Sequence, residues 1–362
     1  MSALKDKYKK YFKNKKVLIT GHTGFKGSWL SVILLRLGAN VSGFSLPLDN
    51  NVNTLFSSLK IEKEINNYFG DISDLRTLEN CLFNEKPDFI FHLAAQSLVR
   101  ESYLEPIKTW NVNTMGTINL IEATKNKLNQ CTLVMITTDK VYENNEWIYG
   151  YREIDPLGGF DPYSSSKAAA ELAINTWRLC FSNSYENNIK ISSARAGNVI
   201  GGGDWAKDRI IPDAMRALSM NKAIKVRNKN STRPWQHVLE PLFGYLSLAK
   251  KMYESDRNSH YNSPFNFGPY TSSNKKVKEL VDEILKTWSG DWVETEKSDT
   301  NMHEANKLNL VIDKAINLLD WEPKWCFEKT VEKTVTWYKS YYNDKENALN
   351  YCIKDIENFL EE

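Results

Sequence analysis

The stretch Val17-Leu18-Ile19-Thr20, followed by Gly21, Gly24 and Gly27, constrains this chain more than any other. A short apolar run closed by glycine reads as a buried strand. Beyond it Leu30, Ile33, Leu34 and Leu37 recur at the spacing of one helix face, and Gly38 stands where that helix would stop. Asn40 to Phe44 reads as a second strand. Strand, glycine-rich turn, helix and strand together form the opening unit of a doubly wound parallel α/β sheet. The glycines let backbone approach a pyrophosphate, while the first N–H groups and positive dipole end of the helix attract its charge. The spacing is G-x-x-G-x-x-G, and taken alone such a triplet is equally a plain tight turn.

A second constellation lies further along. Thr132 to Ile136 reads as a buried strand, and four hydrogen-bonding or ionisable residues follow at once: Thr137, Thr138, Asp139 and Lys140. In an open α/β sheet ligands sit beyond the carboxyl ends of the strands, so polar residues there face a site. Tyr163 and Lys167 are four apart, which places them on one face of a helix. A lysine beneath a tyrosine is expected to lower the phenol's pKa and make it a usable base near neutrality.

Other segments follow the same rhythm. Phe89 to Ala95 reads as a buried strand ending in small residues, so Leu93, Ala94 and Ala95 allow close packing against a cofactor ring. Asp71, in Tyr68-Phe69-Gly70-Asp71-Ile72, is equally an adenine ligand or a turn and N-cap aspartate. Pro106 to Lys127 reads as one long helix with Ile107, Trp110, Ile118 and Ile121 on a face that Asn113 and Gly116 interrupt. Tyr163 to Phe181 reads as another, striped by Ala170, Ile174, Trp177 and Phe181. Such stripes are core, or pair across a dimer interface. A strand from Ile191 runs into a loop with four glycines between 197 and 203. After it the rhythm breaks down, and residues 200 to 310 are expected to be irregular, with Arg209, Arg227, Arg233, Trp235 and His237 interspersed. Arginines suit bidentate phosphate contacts; any one of them is otherwise a solvated surface charge, and for Arg233, between Thr232 and Pro234 before Trp235, the functional reading is favoured.

Bulk properties narrow the class. With 362 residues the chain accommodates a large α/β domain and a smaller one. A net charge of +2 argues against nucleic-acid binding. The five cysteines are scattered without metal-ligand or redox spacing, which points to a reducing, cytoplasmic setting with no disulfide framework and no metal. The charged and aromatic stretch through Lys16 is no signal peptide, and no apolar run approaches the ~20 residues of a membrane span.

The assembled residues resemble the extended short-chain dehydrogenase/reductase family over nearly the whole chain. The matching strings are G-H-T-G-F-K-G at 21–27, G-D-I at 70–72, H-L-A-A-Q at 92–96, N-T-M-G-T at 113–117, Y-S-S-S-K at 163–167 and N-F-G-P at 266–269. Within it the chain looks most like the nucleotide-sugar 4,6-dehydratases, and specifically the branch acting on CDP-glucose. G-N-V-I-G-G-G-D-W at 197–205, R-P-W-Q-H-V at 233–238 and H-E-A at 303–305 carry that likeness.

The resemblance implies an NAD-binding Rossmann-type domain over 1–195, rejoined by residues near 238–262, and a smaller, mainly substrate-binding C-terminal domain over 196–362. It implies NAD held by Gly21, Thr23, Gly24, Phe25, Lys26 and Gly27, with Asp71 and Ile72 at the adenine and Leu93, Ala94 and Ala95 along the cofactor. Tyr163 would be the active-site base, Lys167 its partner and a ribose ligand, and Thr138 a ligand of the sugar's 4-hydroxyl. Asn198 and Arg233, assisted by Arg209, would hold the substrate diphosphate; His237 and Glu240 fall nearby without a role. The resemblance also implies a homodimer or homotetramer built on helices 106–127 and 163–181, and a place in cell-surface polysaccharide (O-antigen) synthesis.

Two features depart from wider family patterns. Members acting on dTDP-sugars commonly have Asp-Glu after the threonine, whereas Asp139-Lys140 is similar to the CDP-glucose branch. Phe44-Ser45-Leu46-Pro47 lacks the acidic residue that commonly ends the second strand of NAD enzymes, and Asp49 lies further on. The expected reaction is oxidation at C4, elimination of water across C5–C6 with Asp139 and Lys140 as acid and base, and return of hydride to C6. Asp139-Lys140 is otherwise a strand-capping ion pair. A dehydratase acting on another nucleotide sugar, a nucleotide-sugar 4-epimerase or decarboxylase, and a non-catalytic NAD-sensing scaffold remain alternatives; the last tends to lack the tyrosine.

Overall fold

A computed structural model describes residues 3–49, 52–180, 188–295 and 307–362. Strands β1 (Lys16–Thr20), β2 (Asn40–Ser45), β3 (Asn66–Phe69), β4 (Phe89–His92), β5 (Gln130–Ile136) and β6 (Asn188–Ala196) come first in the chain. The short strands β7 (Val199–Ile200), β8 (Ile224–Val226), β9 (Thr232–Pro234), β10 (Gln236–His237), β11 (Phe265–Phe267), β12 (Asn274–Lys276) and β13 (Trp292–Glu294) follow. Seven of them form one sheet in the order β11-β6-β5-β4-β1-β2-β3, with every neighbouring pair parallel. The order reverses between β1 and β4, and ligands bind at such a switch point, beyond the carboxyl ends of the strands. The expected Rossmann-type sheet is therefore present.

Side chains alternate across the sheet and are covered on both faces, as a parallel sheet requires. Val17, Ile19, Phe89, Phe91 and Val134 join one core with Trp29, Leu30 and Ile33 of the helix Phe25–Arg36. Leu18, Ile90, Leu133 and Met135 join the other with Ile121 and Ile174. Leu133 is fully buried, and truncating it to alanine would cost about 2–5 kcal/mol through lost transfer energy and a residual cavity.

Three expectations are corrected. The segment 106–127 is not a uniform helix: Pro106–Trp110 and Gly116–Lys127 flank a π-helical turn over Asn111–Met115. The turn brings Asn113 inward, where Nδ2 donates to the Gln96 carbonyl and to Ser166 Oγ, each at 3.0 Å, while Oδ1 accepts from Gln96 N. The fourth strand ends at His92, so Leu93 to Ala95 form the loop beyond it. Residues 200 to 310 are not irregular, because they include helices Ile210–Ser219, Leu239–Glu254 and Val277–Thr287. Leu239–Glu254 lacks a clear polar face because most of its circumference is buried, packed against β5, β6 and the N-terminal helix Ala3–Phe12. The helix beginning at Pro162 is described through Cys180; Phe181 and the H-E-A string at 303–305 lie outside the described residues.

Candidate functional site

The glycine turn after β1 has little room for side chains. Gly21 has φ +74°, and a Cβ there would lie 2.8 Å from Ala94 N; a Cβ at Gly27 would lie 2.2 Å from the Gly21 carbonyl oxygen. Gly24 caps the helix that starts at Phe25. Glycine backbone therefore stands at the mouth of that helix, an arrangement that takes an anion.

From this turn a cavity of about 1400 Å³ runs across the carboxyl ends of the strands. Gly21, Thr23, Gly24, Phe25, Lys26 and Gly27 line one end, with Asp71 and Ile72 beyond β3. Leu93, Ala94 and Ala95 line the middle, then Thr138, Asp139, Lys140, Tyr163 and Lys167. Asn198, Arg209 and Arg233 line the far end. The chain thus brings every site residue expected from the sequence to one cavity, although residues up to 212 positions apart contribute (Gly21 and Arg233). Arg227, named among the arginines suited to phosphate, also lines it, as do Lys207 and Lys225, which were not singled out; Lys225 alternates with buried Ile224 and Val226, a pattern that marks it as facing away from the core.

A dinucleotide fits this cavity. The glycine cradle meets a pyrophosphate, Asp71 and Ser45 reach the β2–β3 end, and the loop after β4 offers small residues. Asp71 is also a turn aspartate, its Oδ1 accepting from the Ser73 N–H and hydroxyl, while Asp74 caps the next helix. At the end of β2, Ser45 Oγ donates to the Leu46 carbonyl.

The polar centre is tightly interlocked. Thr138 Oγ1 donates to Asp139 Oδ1 at 2.9 Å, and Lys140 Nζ lies 3.3 Å from the same oxygen. Tyr163 and Lys167 are buried one helical turn apart. The expected lowering of the phenol is overturned: burial pushes Tyr163 up to about 12, against the Thr138 hydrogen bond and the charge of Arg209, while Asp139 and Asp161 push it further up. Burial likewise pushes Lys167 down to about 8, opposed by Glu171. Burial also brings Lys26 down to about 8, helped by Arg209, Lys167 and Lys140 and opposed by Asp139.

Glu171 was not expected. It is buried one turn beyond Lys167, accepting from Thr137 Oγ1, Ser193 Oγ at 2.8 Å and Arg195 at 2.8 Å. Arg195 also donates to Tyr142 Oη, which donates to Asn266 Oδ1, so strand, helix and C-terminal segment share one network. At the cationic end, Arg209 pairs with Asp204 at 2.8 Å, and Arg227 and Arg100 both approach Asp208. Arg233 donates to the Thr232 carbonyl. His237 is packed between Trp29 and Trp325, and Glu240 accepts the backbone N–H groups of Lys324 and Trp325, so both lie in the core rather than in the cavity wall.

Fold and site together define a dinucleotide-binding enzyme fold with a Tyr–Lys pair beside an Asp–Lys ion pair. The family model described as GDP-mannose 4,6 dehydratase matches residues 18–334, and the chain belongs to that family. The chain is 43% identical over 355 residues to a CDP-glucose 4,6-dehydratase of Salmonella typhimurium, covering 97% of this chain and 98% of the relative. It is 27% identical over 340 residues to a dTDP-D-glucose 4,6-dehydratase of Homo sapiens, covering 92% and 93%. Among solved structures, the DesIV dTDP-glucose 4,6-dehydratase of Streptomyces venezuelae, with NAD and TYD bound, matches at TM-score 0.75 and 21% identity over 90% of this chain and 98% of that one. An epimerase of Methanothermobacter thermautotrophicus matches at TM-score 0.76 and 24% identity over 95% and 98%. These two establish the fold.

Proposed function

We propose that the chain removes water from CDP-glucose to give CDP-4-dehydro-6-deoxyglucose, using NAD that is restored in each turnover. The observation that carries this reading is the near full-length 43% identity with the Salmonella enzyme. The reading is further supported by Asp139-Lys140 facing the same cavity as Tyr163. An epimerase needs no acid–base pair of that kind.

Gly21, Thr23, Gly24, Phe25, Lys26 and Gly27 would hold the pyrophosphate of NAD, Asp71 and Ile72 its adenine end, Leu93 to Ala95 its middle, and Tyr163 and Lys167 the ribose beside the substrate. Bound there, NAD supplies a hydride acceptor at C4 and a donor at C6. Asn198 and Arg233, assisted by Arg209, hold the substrate diphosphate. Thr138 hydrogen-bonds the 4-hydroxyl, and Tyr163 as phenolate takes its proton. Burial holds Tyr163 at about 12, so the phenolate depends on positive charge near it; Arg209 already acts in that direction.

The ketone at C4 acidifies the C5 proton, which Lys140 removes, and Asp139 protonates the departing 6-hydroxyl. As an ion pair, Asp139 and Lys140 already hold the one proton required. The proposed step requires that proton on Asp139 as the acid, with Lys140 as the neutral amine base. Two protons leave the sugar, from O4 and C5; one returns on the leaving hydroxyl and one at C5 as hydride reaches C6.

The proposal extends to organisation. Residues 1–195, with the returning segment near 238–262, form the cofactor side, and the rest of 196–362 mainly the nucleotide-sugar side. Helices 106–127 and 163–180 pair with a second copy as a homodimer, with a homotetramer as the larger form. A cytoplasmic setting is supported by five cysteines that are all free. Among the described residues no helix is long and apolar enough to cross a membrane. The product places the chain in cell-surface polysaccharide synthesis, including O-antigen.

The test is incubation of purified protein with CDP-glucose, dTDP-glucose, UDP-glucose or GDP-mannose, with and without added NAD. Alkaline absorbance of the 4-keto sugar and product mass are read. Loss of one water from CDP-glucose alone is expected. Loss from another sugar would move the substrate, and loss from none would overturn the dehydratase reading.

A further inference from the structure

The string R-P-W-Q-H-V holds a residue the reaction does not use. Gln236, in β10, is 1% exposed, and neither its Oε1 nor its Nε2 has a hydrogen-bond partner among the described residues. A buried primary amide without partners is costly, and native proteins rarely leave both ends of one unsatisfied. On either side, Trp235 Nε1 donates to the Lys275 carbonyl, and His237 accepts the Leu239 N–H at Nδ1 while its Nε2 lies without a partner among the described residues between Trp29 and Trp325. The amide of Gln236 points elsewhere, toward Gly197.

Gly197 follows β6 and lines the cavity. A Cβ built on it would lie 3.2 Å from Asp139 Oδ2 and 3.9 Å from Gln236 Nε2. A Cβ there would press on Asp139 Oδ2, so only bare glycine backbone separates the Asp139 carboxylate from the Gln236 amide, and Gly197 and Asp139 both line the cavity. Asp139 Oδ1 is occupied by the Thr138 hydroxyl and Lys140. Oδ2 is the oxygen turned to Gly197. A buried water needs at least two polar partners, and these two groups supply them.

We propose that Gln236 is a positioning residue for Asp139, its amide engaging Asp139 Oδ2 through one water held beside Gly197 at the cavity wall. With Oδ1 fixed by Thr138 and Lys140, and Oδ2 by the bridged amide, the carboxyl plane is set for delivery of a proton to the departing 6-hydroxyl. Loss of the bridge should slow elimination and leave oxidation at C4 untouched. The inference rests on the reading of Asp139 as the acid.

The test compares Gln236→Met, nearly the same length without polar atoms, with Asp139→Asn and the double variant. In Gln236→Met, kcat for CDP-glucose falls roughly ten- to hundredfold with KM nearly unchanged. Reduced cofactor accumulates in a single turnover, because oxidation outruns elimination. The double variant is no slower than Asp139→Asn alone, since the two act through one group. The pH profile of kcat also shifts in Gln236→Met; the other charged or titratable groups facing Asp139, namely Lys26, Lys140 and Tyr163, are unaltered.

Wild-type kcat and profile in Gln236→Met would overturn the proposal, as would a slower enzyme that accumulates no reduced cofactor. If Asp139→Asn is fully active, the acid reading itself fails, which is a separate outcome. Thermal stability gives an independent readout. A bridged amide predicts a lower Tm for Gln236→Met, whereas a truly unpartnered one predicts a higher Tm and ends the proposal. Should Gln236→Met not fold, Gln236→Glu keeps the shape, and its added charge should move the profile to higher pH; an unmoved profile would be equally decisive against it.

Discussion

Asp204 Oδ2 lies 2.8 Å from Nη1 of Arg209, and the pair ties the glycine-rich loop after β7 to the start of the helix Ile210–Ser219. Asp204 is itself held, because Tyr338 Oη donates to its carbonyl and the Ala206 N–H to its carboxylate. Arg209 thus reaches the cavity as one half of an ion pair with its orientation set. Replacing Asp204 with asparagine should leave kcat within about twofold and raise KM for the nucleotide sugar about tenfold, the worth of one charge-assisted hydrogen bond. Initial rates over a substrate series would show it. A change confined to kcat would remove Arg209 from the binding role.

Lys140 is expected to be the C5 base. In Lys140→Ala the enzyme should still oxidise C4, but exchange of the C5 hydrogen with solvent deuterium should fall by ~10²-fold or more, the usual size of a general-base contribution. Mass spectrometry of recovered CDP-glucose and product measures it. Exchange at the wild-type rate would reassign the base.

Stability should depend on pH through two buried carboxyls. Burial pushes Glu240 up to about 7 from an ordinary 4.5, against the pull of the Lys324 and Trp325 N–H groups, and Asp355 up to about 6 from 3.8, against Lys333. With folded values above the unfolded ones, the native state holds these protons more tightly. Stability is therefore highest below the unfolded values and declines as pH rises from about 4 to 7. Glu240→Gln should flatten that decline, with a gain at pH above the window approaching about 3 kcal/mol and little change below it. Urea midpoints at several pH values give the comparison. An identical slope in the variant would exclude Glu240 as its source.

Ile107 and Leu172 are 77% and 58% exposed, on the two helical segments expected to pair with a second copy. Trp110, Met115 and Leu179 are exposed with them. Exposed apolar residues gathered on paired helices are the usual mark of a subunit interface. Wild-type protein should scatter light as a dimer or tetramer, and Ile107→Asp combined with Leu172→Asp as a monomer. An unchanged mass would move the interface elsewhere.

Much of the sheet was legible because its signals are local. Val17 to Thr20 and Thr132 to Ile136 are apolar runs bounded by turn residues, and Gly21 and Gly27 are required where a Cβ would strike backbone. The pairing of Tyr163 with Lys167 is legible for the same reason, being one helical turn. The π turn at Asn111–Met115 was not, since the pull on Asn113 comes from Gln96 and from Ser166, distant in sequence. Nor was Leu239–Glu254, which is buried over most of its circumference.

By itself, then, the order of residues determined the parallel sheet, the glycine cradle and which polar residues stand at strand ends, since each follows from steric and periodic rules acting over a few positions. Only the tertiary structure decided the company those residues keep: Asp204 beside Arg209, Glu171 between Thr137 and Arg195, Gln236 facing Asp139 across Gly197. It also reversed the expected titration of Tyr163. Burial is a property of everything packed around a group, and here its cost to the phenolate exceeds the help of any single neighbouring charge.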